Sequence, residues 1–198
     1  MSGLRERKKQ ETRLRLANLA TELFAQRGFE NVSVAEVAAA AGVSKMTVFN
    51  YFARKEDLFF DRVPEFTALI TSAVRGRPAD QTPVAAVRAL VLRLLDERHP
   101  LAGFSDTVSG FWQIMLDSPT LRARAREAVD ELEDLLVQLY AEAYDDAHAR
   151  LFAALTIAAW RTCYLSGARR IMAGERIDYF FVEHRAWVVE CFAAVPGG

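Results

Sequence analysis

Cysteine, histidine, proline and strongly apolar runs are all scarce in this chain, and each scarcity excludes something. The two cysteines, Cys163 and Cys191, lie in apolar helical patterns with no Cys-x-x-Cys spacing. That excludes a disulfide framework and a cysteine metal site, and both thiols are expected to be small core residues in a reducing compartment. Three scattered histidines without metal-ligand spacing give no metal centre. With no Gly-rich phosphate loop and no nucleophile motif either, nothing suggests an enzyme or a bound cofactor. Six prolines and ten glycines are few for 198 residues, and no stretch alternates polar and apolar with period two. Strands are therefore not expected, and the chain reads as all-α. The first residues, MSGLRERKKQETR, contain no apolar run, so a secretory signal is not expected and a cytoplasmic location is. The most apolar stretch, residues 151–168, carries one charge, Arg161, near its centre. An arginine at mid-bilayer costs ~2.5–3.5 kcal/mol, so this segment is expected as a buried helix and no membrane partner is assigned.

What is present is uneven. Residues 1–55 hold ten Lys/Arg against five Glu, +5, and residues 56–198 hold fifteen Lys/Arg against 21 Asp/Glu, −6. A basic first segment beside an acidic remainder suits a polyanionic partner, though solvated helix faces would also produce it.

The apolar spacing predicts a first helix over residues 5–26, ending at Gly28. Ser33 and Glu36 form a Ser-x-x-Glu capping box for a short second helix. Gly42 supplies a turn, and Ser44 caps a third helix of about seven residues. A fourth helix is expected from residue 55 or 56 to 74, kinked at Pro64. After the loop at 75–83, five more are expected over roughly 83–98, 104–116, 119–144, 147–173 and 178–194. The architecture is thus about nine helices: a three-helix helix-turn-helix domain at 1–55 and a helical domain at 56–198.

The third helix is unusual on its outward side. Val48, Phe52 and Ser44 share one face at helical spacing, which leaves Met46 and Asn50 opposite and Lys45 free to swing from the first turn. Asn bonds adenine, Lys bonds guanine acceptors, and an apolar side chain meets a thymine methyl. Thr47, Tyr51 and Lys55 stand where donors would hold phosphates, and Ser33 opens a helix whose N–H groups suit another. A role for Phe49 and Tyr51 in bracing the fourth helix is the alternative.

Residues 12–59 carry an ordered string: Ala-x-x-Leu-Phe, Gly28-Phe29, Val32-Ser33-Val34, Ala41-Gly42-Val43-Ser44, Thr47-Val48-Phe49-x-Tyr51-Phe52 and Lys55-Glu56-x-Leu58. This string resembles the DNA-binding domain of TetR-family transcriptional repressors. The resemblance implies a homodimer whose third helices read successive major grooves of palindromic double-stranded operator DNA. By position it makes Lys45, Met46 and Asn50 base-facing and places Thr47, Phe49, Tyr51 and Lys55 at the backbone. Many members have tyrosine where Phe49 stands, so this side chain offers an apolar contact and no phosphate donor. The resemblance further implies a ligand-binding and dimerising C-terminal domain, and a repressor released by a small-molecule effector. An activator of the same fold is the alternative.

Within that domain Phe104, Val108, Phe111, Trp112 and Met115 form one apolar stripe, which suits a cavity as well as plain packing. Arg161, flanked by Trp160 and Tyr164, must be compensated if buried, by Asp106, by Asp117 or by an anionic group of the effector. His99, Gln113 and His148 are further polar candidates. Ala154, Ala158 and Thr162 with Tyr179, Phe180, Phe181, Trp187, Val188, Val189 and Phe192 are expected to form the dimer seam. The stretch HPLAGFSDTVSGFWQIMLDSPTLRAR is similar to a C-terminal subgroup described as acyl-CoA-like ligand binding, which implies an apolar effector with an anionic head.

Overall fold

The computed structural model describes residues 2–103 and 108–198, with the side chains of residues 2, 4–6 and 108 outside that description. The described residues form ten α-helices and no strand: α1 Ser2–Arg27, α2 Val34–Ala40, α3 Lys45–Phe49, α4 Glu56–Phe59, α5 Val63–Arg75, α6 Pro83–Asp96, α7 Val108–Asp117, α8 Pro119–Tyr140, α9 Asp146–Met172 and α10 Ile177–Ala193. The expected all-α class holds. The expected fourth helix is two, α4 and α5. Proline lacks the N–H a helix interior needs, so Pro64 stands at the second position of a new helix and kinks none.

The chain divides into two compact units, residues 1–63 with 113–125, and residues 64–112 with 126–198. This division differs from the expected boundary at 55/56. α4 belongs with the first unit because Leu58 and Phe59 bury fully there, with the Phe59 ring 6.4 Å from that of Phe24.

In the first unit, Leu16, Ala17, Ala20 and Phe24 line the buried side of α1. Gly28, at φ +80°, ends that helix in the left-handed region, where a side chain would be strained. Val37 and Ala38 of α2 and Val48 of α3 close the core. Ser118 starts α8 here. Its buried hydroxyl accepts from the Leu121 N–H and donates to Glu30 Oε1 at 2.5 Å, holding the Glu30 carboxyl below its usual range.

The second unit packs α5, α6, α9, α10 and the rest of α8 around Ile70, Leu90, Leu94, Leu136, Leu139 and Phe180. Thr82 and Asp145 cap α6 and α9 through their side-chain oxygens. Inside, the Tyr140 hydroxyl meets the Thr156 hydroxyl at 3.1 Å, so neither buried polar atom is left open. No helix among the described residues is long and apolar enough to cross a membrane.

Three residues expected at a dimer seam bury in this core instead: Phe180, Val188 and Phe192. They follow one another around α10 on the side that meets α9 and α6. Tyr179, Val182, Trp187 and Val189 are left outward on the same helix.

Candidate nucleic-acid interface and effector cavity

α3 is short, and other elements hold it. Ser44 Oγ accepts from the Thr47 N–H at 3.0 Å and lies 2.8 Å from the Thr47 hydroxyl, which caps the first turn. Val48 and Phe52 anchor the helix from beneath, each 1% exposed. With those two residues buried, the opposite side must face out: Met46 is 68% exposed, and Lys45 and Asn50 are exposed beside it. Phe49 is 40% exposed, with the Lys45 ammonium 5.7 Å from its ring centre. Lys45, Met46, Asn50 and Phe49 therefore form one contiguous surface.

The expected phosphate contacts are placed less uniformly. Thr47 and Tyr51 are half-buried at the edges of α3. At the start of α2 the Ser33 N–H, the Ser33 hydroxyl and the Glu36 N–H are bonded within the capping box. Glu36 Oε2 accepts from both the Ser33 N–H and the Ser33 hydroxyl at 2.8 Å, and Arg27 lies 2.7 Å from the other carboxylate oxygen. These bonds from Ser33, with Arg27 beside them, hold the Glu36 carboxyl at about 2. The Glu36 carboxylate thus sits within the first turn of α2, where the helix dipole favours a negative charge. Lys55 turns inward. Its Nζ donates to the Phe29 carbonyl at 2.5 Å and sits 4.0 Å over the Phe29 ring, and burial pushes its pKa down. In this structure Lys55 braces the α1–α2 loop.

Sequence reasoning missed Arg13. Its guanidinium donates to the Tyr51 carbonyl at 2.7 Å and to the Asp61 carbonyl at 3.1 Å, and lies 4.3 Å over the Phe52 ring. One side chain of α1 thus satisfies the chain end of α3 and the turn after α4. The signal was present, because Arg13 precedes Leu16, Ala17, Ala20 and Phe24 at the spacing of the buried stripe. A second tie, Arg124 to Asp57 at 3.4 Å, joins residues too far apart in sequence to be paired from pattern.

The second unit contains an aromatic cavity. Trp160 and Tyr164, one turn apart on α9, stack with ring centres 5.1 Å apart and planes at 21°. Phe66 of α5 lies 5.9 Å from Trp160, and Trp112 of α7 lies 5.3 Å from Tyr164. Leu94, Leu101 and Cys163 complete much of the lining. The room left is about 20 Å³, which is space for roughly one water. Of the expected ligand residues, Trp160 and Tyr164 line this cavity and Trp112 packs behind it. Phe111 is half-buried against the edge of Trp112. Met115 groups with the first unit, whereas the cavity lies in the second. Phe104 and the Val108 side chain lie outside the described residues, as does Asp106.

Arg161 corrects an expectation. It is exposed, a step of about 100° around α9 from Trp160, and so points away from the cavity its neighbours line. It needs no buried counter-ion and is not placed to anchor an anion there. His99, Gln113 and His148 have local roles. His99 accepts from the Leu101 N–H, Gln113 donates to Asp117, and His148 meets Asp145 at the start of α9. Cys163 and Cys191 are free thiols whose pKa burial raises. No group of His, Cys, Asp and Glu among the described residues is arranged to hold a metal.

A short capped helix with an exposed outward face, held after a glycine turn against the helix before it, defines a helix-turn-helix protein. Residues 16–61 match the family model for bacterial regulatory proteins, tetR family. The transcriptional regulator TcmR of Streptomyces glaucescens is 30% identical over 144 residues, covering 70% of this chain. The chain spans 63% of the length of TcmR in that match. The transcriptional regulator BetI of Pseudomonas paraeruginosa is 30% identical over 162 residues, 78% of this chain and 82% of BetI. The fold is similar to that of NalD, the secondary repressor of the MexAB-OprM multidrug efflux pump in Pseudomonas aeruginosa. Its TM-score is 0.57 at 18% identity, covering 92% of this chain and 97% of that one. The chain belongs to the TetR family of transcriptional regulators.

Proposed function

We propose that the protein is a cytoplasmic, homodimeric repressor that binds a palindromic operator and is released when a small apolar molecule enters the second unit. The observation that carries this reading is the outward surface of α3, where Lys45, Met46 and Asn50 stand exposed on a helix locked from behind by Val48, Phe52 and Arg13. A reading face must be both exposed and rigid, and these contacts supply both conditions. Asn50 and Lys45 read base edges, Met46 meets a thymine methyl, and Thr47, Tyr51 and Phe49 flank the backbone.

Dimerisation is supported by the outward side of α10, where Tyr179 is 82% and Val182 80% exposed. Two copies would bury these against each other and repeat the reading face across a two-fold axis. Effector binding would then favour dimers whose α3 spacing does not match the operator.

The test is a gel-shift titration on the DNA flanking the gene, with random duplex as competitor. Wild-type protein binds the flanking DNA in preference to random DNA, and both affinities fall with salt. Asn50→Ala weakens specific binding more than random binding. Equal affinity of the wild type for both duplexes at physiological salt would refute operator recognition. A reporter in a deletion strain rises if the protein represses and falls if it activates.

A further inference from the structure

The buried side of α1 turns cationic where its packing ends. Leu16, Ala17, Ala20 and Phe24 bury on that side, and Arg13 prolongs it by one turn towards the N-terminus. Lys9, four residues before Arg13, lies ~40° from it around the helix, on the side that is buried further along, yet Lys9 is exposed. Helix α1 therefore leaves the packed part of the first unit between Arg13 and Lys9. Gly3 and every residue from Arg7 to Glu11 are exposed as well.

This projecting part is charged in one sense. Residues 5–15 hold six Lys/Arg against two Glu. Arg7 meets Glu11 at 3.7 Å, a pair well exposed on both sides. Among the described residues Lys8 and Lys9 have no carboxylate at ion-pair distance. Cations that neither pack nor pair add little to folding, so their use lies outside the chain. A lipid surface does not fit, because SGLRERKKQET holds one apolar residue, Leu4, and so has no side to insert.

The position of the arm favours DNA. The Arg13 guanidinium donates to the Tyr51 carbonyl just past the end of α3, and Lys9 and Lys8 stand ~6 and ~7.5 Å before Arg13 along the axis of α1. Helix α3 has five residues, ~7.5 Å of helix, for a major groove ~12 Å wide. Side chains fixed just beyond its end meet the phosphate rows that bound the groove.

We propose that the first turns of α1 form a phosphate-binding arm, in which Lys8 and Lys9 hold the DNA backbone outside the half-site read by α3. The arm adds affinity and register without sequence preference. This rests on the DNA-reading surface proposed above and deepens it.

The experiment uses the full chain and two duplexes of equal length, the DNA flanking the gene and a random sequence, titrated from about 50 to about 200 mM salt. Replacing both lysines, Lys8→Gln with Lys9→Gln, should weaken binding to both duplexes and flatten the slope of log affinity against log salt by about 1.8 for each protomer bound. The ratio of the two affinities should stay at the wild-type value. Lys8→Arg with Lys9→Arg keeps the charges and should keep the slope. Arg161→Gln removes an exposed charge from α9 and should leave the slope unchanged. Melting curves of all variants should match that of the wild type, since the substituted side chains are exposed. An unchanged slope in the double glutamine variant, or the same loss in Arg161→Gln, overturns the arm. A changed affinity ratio also overturns it, because the lysines would then read sequence. Selective wild-type binding with an unchanged slope in the variant sinks the arm and keeps operator recognition. Equal wild-type affinity for both duplexes, with the slope flattened in the variant, sinks operator recognition and keeps the arm.

Discussion

Arg13 Nη1 donates to the carbonyl of Tyr51 at 2.7 Å, across 38 residues of sequence. The same guanidinium bonds the Asp61 carbonyl and covers the Phe52 ring, so α1 fixes the C-terminal end of α3. Arg13→Ala should cost about 2–4 kcal/mol through two charge-assisted hydrogen bonds and the ring contact. Arg13→Lys should recover only part of this, because an ammonium lacks the planar fork that reaches both carbonyls. Thermal unfolding measures the loss. A shift assay below the melting point should show weaker DNA binding in both variants, although neither removes a group proposed to touch DNA.

The capping box of α2 makes a pH-dependent contribution. The Ser33 bonds and Arg27 hold the Glu36 carboxyl at about 2, against 4.5 for an ordinary glutamate. A carboxyl with a lowered pKa stabilises the folded state fully above its unfolded value and loses that contribution as pH falls towards the folded one. The contribution is therefore complete above about 4.5 and disappears between there and about 2. Glu36→Gln should lower stability at neutral pH and flatten the acid limb of an unfolding curve across that window. An identical acid limb in the variant would show that the cap does not act this way.

Val182 is 80% exposed on α10 beside Tyr179, an unusual position for a β-branched apolar residue with no other role. Val182→Glu should leave helicity and melting of the isolated chain nearly intact and convert a dimer to a monomer, because two-fold symmetry brings two new charges into one seam. Light scattering after size-exclusion chromatography reads the mass. A variant that stays dimeric would move the seam off this side of α10.

Phe49 offers a gain rather than a loss. It is 40% exposed at the edge of the reading face and has no donor. Phe49→Tyr should tighten DNA binding by about 0.5–1.5 kcal/mol if its hydroxyl reaches a phosphate oxygen. Because the new group is neutral, the salt slope should stay the same. An unchanged affinity would place Phe49 against a sugar or a thymine methyl.

The local part of this architecture was legible in the sequence. Capping residues and glycine turns act over three or four positions, so Ser33, Ser44, Gly28 and Gly42 mark the helix-turn-helix directly. The outward placement of Met46 and Asn50 likewise follows from helical phase once Val48 and Phe52 are taken as core. Arg161 was misread because a charge in an apolar sequence was treated as a charge in an apolar place. On α9 its direction departs from that of Trp160 by one residue step, and it ends in solvent. Lys55 and the Glu30–Ser118 bond were not legible at all, since each depends on a partner brought near only by packing. The α10 seam failed in half for the same kind of reason. An aromatic-rich helix has more than one apolar side, and only the fold decides which side meets the core.

Selection of bound duplexes from a random DNA pool tests the central claim most directly. The account predicts an enriched inverted repeat whose half-sites are separated by about one helical turn or a multiple of it. It also predicts that Asn50→Ala, and not a substitution at exposed Arg161, relaxes base preference within each half-site. Recovery of no common sequence, or of a motif unaffected by Asn50→Ala, would contradict it.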